Sequence, residues 1–253
     1  MKNMPPTFDY AAFEIRYAAG HLYFDRCGQV LLDIDRKCPG WTVTSVTPQT
    51  GTLENPSKWL VANFNNQVFT FTAQKAWKLE MGEIAKEISG LWNIIQANLG
   101  LEEFLRIGFR LNYLLPTESE EEADRRLKKS EINLMMPQSV LDDGYSIKNR
   151  QLIAVLVKDG TEYRVELAAV IRHEGLVPPD LVRTDPRLLS KKQKEIRIAK
   201  LKQMAEYSAN PTFAVNLNVD CVRFSPETLS VEEFILKQAQ VVDQTFLPVL
   251  RKL

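Results

Sequence analysis

Along the first hundred residues, apolar positions recur with two alternating periods. Residues 13 to 17 switch sides at every step, with Phe13, Ile15 and Tyr17 on one side and Glu14 and Arg16 on the other, which predicts a half-buried strand. From about 22 to 37 the apolar residues Tyr23, Cys27, Val30, Leu31 and Ile34 step by three and four, and Pro39-Gly40 follows, so a helix is expected there. Two strands are expected near 41 to 47 and 58 to 73, the second rich in Val, Phe and Thr. A helix follows over 81 to 99. Its apolar face is traced by Met81, Ile84, Ala85, Ile88, Leu91, Trp92, Ile95 and Leu99, with Gly100 as its left-handed stop. The stretch LEEFLRIGFRLNYLLP at 101 to 116 then alternates as a further strand. The resulting order, β-α-β-β-α-β, is the ferredoxin-like pattern of an antiparallel sheet with helices on one face, and it defines a first α+β unit over 1–117.

The remaining 118–253 reads as a second α+β unit, related in kind and expected to pack on the first. ESEEEADRRLKK spaces acid ahead of base by four residues at Glu121/Arg125, Glu122/Arg126 and Asp124/Lys128, which predicts a solvated helix. QLIAVLVKDGTEYRVELAAVIR reads as a hairpin turning at Asp159-Gly160. A proline-punctuated loop comes next, then a helix capped by Ser190 and Gln193 whose apolar residues are scattered around the wheel, so 175 to 197 is expected to be the most mobile internal part. FAVNLNVDCVRF alternates as a strand. The last helix carries a capping box at Ser230 and Glu233, a hydrophobic staple of Leu229 and Phe234, and a bend at Pro248.

Charge changes this picture little. Lys plus Arg and Asp plus Glu both number 32, and the two sides of Thr117 are each balanced as well, so bulk charge draws neither part to a polyanion. The three cysteines form no CxxC pair and leave one over in any disulfide scheme, which points to a reducing, cytoplasmic setting. The opening MKNMPPTFDY has no leader-like apolar core, and no apolar run approaches the length of a membrane span.

Candidate chemistry is sparse. His21 and His173 are the only histidines, and neither belongs to a HExxH helix. GxSxG, GxGxxG and GxxxxGK are absent, so no metal or cofactor is implied. Asp33 and Asp35 form a DxD pair, but on a helix they diverge by about 200° and read as surface acids. Cys221 beside Asp220 would need a nearby histidine to act as a nucleophile and reads better as a small core residue. His173-Glu174-Gly175 at the hairpin's end could pair an acid with a base, but reads better as a strand-end histidine capping backbone. The run from Arg183 to Lys202, with Arg183, Arg187, Lys191, Lys192, Lys194 and Arg197 opposed only by Asp185 and Glu195, is a candidate basic arm for a phosphate backbone, an acidic partner or a membrane surface.

The best candidate lies in the 101 to 116 strand. Leu105, Ile107, Phe109, Leu111 and Tyr113 share one face, and Arg106, Gly108, Arg110 and Asn112 share the other. On an open sheet the two guanidiniums would stand about 13 Å apart across bare backbone, a seat for a phosphate, carboxylate or base. The competing expectation is that Glu14 pairs with one arginine and Asp220 with the other, which would make the stretch architecture.

RIGFRLNYLLP after a helix carrying Trp92, together with NLNVDCVRF before the terminal helix, resembles a sporadically distributed prokaryotic family of similar length and unassigned activity. The resemblance spans most of the chain and implies no catalytic residue. Its patchy distribution implies mobile or defence-associated loci. The function expected from all of this is a non-catalytic binding protein recognising a partner protein or an anionic ligand. The alternative is a nucleic-acid-binding or RNA-processing protein using the open sheet face and the basic arm. An enzyme without a familiar motif stays open.

Overall fold

A computed structural model describes residues 5–18, 20–129, 151–172, 212–226 and 230–253. Its described strands are β1 (Thr7–Tyr17), β2 (Thr42–Val46), β3 (Gly51–Asn55), β4 (Leu60–Phe64), β5 (Val68–Ala73), β6 (Phe104–Thr117), β7 (Gln151–Lys158), β8 (Thr161–Arg172) and β9 (Thr212–Phe224). The described helices are α1 (Tyr23–Lys37), α2 (Met81–Leu99), α3 (Glu120–Lys129), α4 (Val231–Val241) and α5 (Leu247–Arg251). All nine strands join one sheet in the order β2-β3-β4-β5-β1-β6-β9-β8-β7. The class is α+β, with one large antiparallel sheet among the described residues where two were expected.

The first correction lies between α1 and α2, where four strands replace the two expected near 41 to 47 and 58 to 73. Short polar side chains make the extra turns. Thr47 Oγ1 accepts the Gln49 and Thr50 amides at 3.2 and 3.1 Å, closing the β2–β3 turn. Asn65 Oδ1 accepts the Gln67 and Val68 amides at 2.8 and 2.9 Å, splitting the long 58 to 73 run into β4 and β5. The order is therefore β-α-β-β-β-β-α-β.

One face of the sheet is covered. Helix α2 packs between α1 and α4 over it; α1 buries the whole stripe its spacing predicts, and α2 buries all of its own except Met81 at the start, which is half-buried. Trp92 anchors α2, with its ring centroid 5.9 Å from Tyr17 on β1, 5.9 Å from Phe69 on β5 and 5.8 Å from Phe104 on β6. Phe13 packs between Phe69 and Phe109 on the same face. Each such fully buried aromatic contributes about 1.5–3 kcal/mol. Glu83 Oε2 accepts the Glu80 amide at 3.2 Å where α2 starts, and Gly100 at φ 62° ends the helix in the left-handed conformation.

At the C-terminal end, Ser230 occupies the position before α4, but its hydroxyl makes no capping hydrogen bond, so the expected capping box does not form. Glu232 and Glu233 supply negative charge to that first turn in its place. Leu229 of the expected staple lies outside the described residues. The helix widens into a π turn at Val242–Phe246 before α5 begins with Pro248 in its first turn. The missing proline N–H and the bulk of its ring account for that break.

By contact the chain groups into Met1–Leu115 with Gln151–Ala168 and Asn216–Leu253, and into Pro116–Arg150 with Ala169–Val215. The β7–β8 hairpin and terminal helices, assigned by sequence to 118–253, thus share the core of the first grouping. The buried Tyr163 hydroxyl donates to Gln238 Oε1 at 2.9 Å, and its ring meets Phe246 at 5.7 Å. In the second grouping, α3 forms where charge spacing placed it. Arg126 reaches Glu122 at 2.8 Å, Arg125 turns to the same carboxylate at 3.8 Å, and Ala123 and Leu127 are buried.

Candidate functional site

The other face of the first unit's sheet presents the alternate residues of the same strands. In the β1–β6 register, Arg16 lies opposite Arg106, Glu14 opposite Gly108, and Ala12 opposite Arg110. On the β5 side, Glu14 lies opposite Thr70, Thr70 opposite Asn63, and Asn63 opposite Thr52. A polar row therefore crosses four strands, β1, β5, β4 and β3, closed at one end by a 2.9 Å hydrogen bond from Thr52 to Asn63.

This register answers why Gly108 stands between two arginines. Glu14 occupies the position across from it, and the Arg106 side chain crosses over Gly108 so that its Nη1 meets Glu14 Oε1. A Cβ at residue 108 would sit 3.3 Å from Arg106 Nη2 and 3.4 Å from Cζ. The missing side chain is the bed on which the guanidinium lies. Arg16 Nε holds Glu14 Oε1 at 2.8 Å from the other side. Burial acts to raise the Glu14 carboxyl, but the two guanidiniums outweigh it and hold the group below its ordinary value.

Asp220 on β9 completes the cluster. Arg110 Nη2 donates to its Oδ2 at 3.0 Å, and Arg106 Nη2 stands 4.0 Å from the same oxygen. The Ser225 amide bonds the Leu105 carbonyl at 3.0 Å, five residues along β9 from Asp220 and five back along β6 from Arg110. Those two contacts run in opposite senses, as in an antiparallel pair of the neighbouring strands β6 and β9. The side-chain oxygens of Asn112, Asn216 and Asn218 are buried and accept no hydrogen bond among the described residues.

Arg106, Gly108, Arg110 and Asn112 are thus brought together on one face, and the two arginines are paired with Glu14 and Asp220. Three cations face two carboxylates, leaving one net positive charge. Arg110 is the more open, with 48 % of its side chain exposed.

The other candidates fare differently. Cys221 is fully buried in β9, and burial followed by the neighbouring Asp220 charge pushes its thiol up to about 12, so it is inert. Asp33 is tied to Asn98 at 3.2 Å, Gln29 at 2.8 Å and Lys37 at 3.4 Å, and no three potential metal ligands cluster among the described residues. His173, Glu174, the 175 to 197 segment and the basic arm of Arg183, Arg187, Lys191, Lys192, Lys194 and Arg197 lie outside the described residues.

A second polar cluster escaped sequence reasoning. Glu87 on α2 accepts the Trp41 indole N–H at 2.7 Å and the Lys58 ammonium at 2.6 Å. Next to Lys58, Trp59 stands at φ 59°, a backbone conformation costly for a bulky side chain, and Lys75 Nζ lies 3.5 Å from its ring centre. These residues are scattered over 41 to 87, just before β2, in the β3–β4 turn, after β5 and on α2, and only the folded chain assembles them.

No family model matches the chain, and no curated protein matches it. No described helix is long and apolar enough to cross a membrane.

Proposed function

We propose that this chain is a non-catalytic binding protein whose exposed sheet face receives an anionic group, a carboxylate or a phosphate, carried by a partner protein or a small ligand. The observation that carries the reading is the Arg16–Glu14–Arg106–Asp220–Arg110 cluster, which keeps one positive charge in excess and leaves Arg110 half exposed. Arg110 spends one nitrogen on Asp220, and a planar guanidinium has further donors to offer an incoming oxyanion. The reading places the protein in the cytoplasm, as its free cysteines suggest. We further read β1, α1, β4, β5, α2 and β6 as a ferredoxin-like core with the β2–β3 hairpin inserted. The neighbour order β6-β1-β5-β4 supports that plan, which sets its fourth, first, third and second strands side by side.

The test titrates the full chain with a labelled oligoglutamate peptide and, in parallel, with a single-stranded RNA oligonucleotide. The peptide is expected to bind, and Arg110→Ala to weaken it by roughly 1–3 kcal/mol, with a stability loss of no more than about 1 kcal/mol from the half-exposed pair with Asp220. Binding of RNA alone, weakened by the same substitution, would replace this reading with the nucleic-acid one. Failure of both probes to respond to Arg110→Ala would overturn it.

A further inference from the structure

Strand β7 ends the described sheet, and its outer edge carries no partner strand among the described residues. It is eight residues long, keeps an unbroken register with β8, and reads QLIAVLVK. Ile153, Val155, Leu156 and Val157 are all exposed, Val157 at 70 %. Long, regular, apolar edges are what folded proteins usually avoid, because the free N–H and C=O row invites another strand. Edge β2 shows the usual protection. It is five residues long, reads TVTSV, and is broken by a register shift between Val43 and Ser45.

The turn orients the free groups of β7. Asp159 at φ 50° and Gly160 at φ 70° form a two-residue turn that closes on the pair Lys158 and Thr161. Alternation then directs the N–H and C=O groups of Ile153, Val155 and Val157 away from β8, toward the open edge. Their side chains share the sheet face with Glu162, Arg164 and Glu166, the β8 residues across from them.

We infer that β7 pairs antiparallel with β7 of a second copy of this chain, about a two-fold axis normal to the sheet at Val155. In that register Val155 faces its own counterpart and Ile153 faces Val157 of the other copy, twice by symmetry. Every outward amide and carbonyl of those three residues is then paired. On the opposite face, Ala154 meets Leu156. The distribution of charge favours a copy of the same strand as occupant. The only ionic side chain of β7, Lys158, lies at its end, so antiparallel self-pairing sets it against Leu152, whereas parallel pairing would oppose two lysines. Gln151 falls against Asp159, an amide facing a carboxylate. The new apolar strip would lie between the charged rails formed by Glu162, Arg164 and Glu166 of each copy, the arrangement of apolar centre and polar rim found at interfaces. A strand pair of this length falls short of a standard interface of roughly 1,200–2,000 Å², so a dissociation constant on the order of micromolar or weaker is expected.

Sedimentation equilibrium of the full chain over a concentration series tests the proposal, and a monomer–dimer equilibrium is expected. Val155→Lys sets two ammonium groups face to face and should weaken the dimer at least about tenfold with an unchanged circular dichroism spectrum. Val46→Lys on β2 should leave it unchanged. Val155→Cys should give a covalent dimer under mild oxidation, since hydrogen-bonded antiparallel positions stand about 5.5 Å apart at Cα, within disulfide reach. A wild-type chain that stays monomeric to its solubility limit would overturn the proposal. So would a dimer indifferent to Val155→Lys, or one that Val155→Cys does not cross-link.

Discussion

Strand β6 carries two kinds of order on one backbone. Toward the helices it sends Ile107, Phe109 and Leu111, all fully buried, and their contribution grows with the area removed from water whatever their exact orientation. Away from the helices it sends Arg106 and Arg110, whose contribution depends on single contacts with Glu14 and Asp220 on the two flanking strands. The first kind of order tolerates an approximate neighbour. The second requires that β1 and β9 lie on either side of β6 in one particular register. The two faces should therefore respond to substitution by different amounts and in different observables.

The largest difference should come from Phe109→Ala. Phe109 packs with Phe13 at 6.5 Å between ring centres in the middle of the sheet, and truncation there should cost about 3–5 kcal/mol in urea unfolding. A loss below about 1 kcal/mol would mean that the covered face is far looser than its burial implies.

Glu14→Gln should rank second. It keeps the shape and removes the charge on which Arg16 and Arg106 converge, leaving Arg106, only 24 % exposed, without its nearest counter-charge. The expected cost is about 1–2 kcal/mol. This loss should depend on pH. The folded carboxyl titrates below its ordinary value of 4.5, so its stabilisation is complete above that value and fades as pH falls through the folded one. The stability gap between wild type and Glu14→Gln should therefore be constant at neutral pH and close in acid. A gap that persists in acid would assign the effect to shape, with no part for charge.

The same contrast explains what was legible in the sequence. The apolar stripes of α1 and α2 and the alternation of β1 and β6 were readable because periodicity of three to four or of two is a local property of the chain. The Asp159-Gly160 turn was readable for the same reason. The split of 58 to 73 into β4 and β5 depends on one asparagine side chain folding back onto its own backbone, a weak signal inside a Val- and Phe-rich run. The single sheet depends on β9 adding to β6 across a separation of about a hundred residues. No local pattern specifies that, and so the pairing of Asp220 with Arg110 was only one of two expectations. The Trp41–Glu87–Lys58 cluster was illegible because its members come from three separate segments.

Gly108→Val should rank third. A strand favours a branched residue, but a Cβ at this position approaches the Arg106 guanidinium to 3.3 Å, and valine adds two methyl groups. The guanidinium must lift by a few tenths of an ångström or more, lengthening its reach to Glu14. The gain in strand preference and the loss of the pair should nearly offset, for a net change within about 1 kcal/mol. Anion binding, if this face is the site, should fall more than stability does. Equal binding by Gly108→Val and wild type would place the ligand elsewhere.

The smallest effect should come from Arg16→Ala, and it separates the two guanidiniums that share Glu14. Arg16 is 58 % exposed and its partner lies two residues away on the same strand, so solvent screens the pair and folding need not bring it together from a distance. Its removal should cost no more than about 0.5 kcal/mol. The Glu14 carboxyl should nonetheless respond, because the Arg16 hydrogen bond is the foremost of the contacts lowering its pKa, and the group should move back toward 4.5 in an NMR titration. Arg106→Ala should show the opposite balance, with a larger loss of stability, because that arginine ties β6 to β1 and stands beside Asp220 of β9. If Arg16→Ala instead destabilises the protein as much as Glu14→Gln does, then the local pair within β1 carries the stabilisation and the cross-strand pairing on the exposed face contributes little.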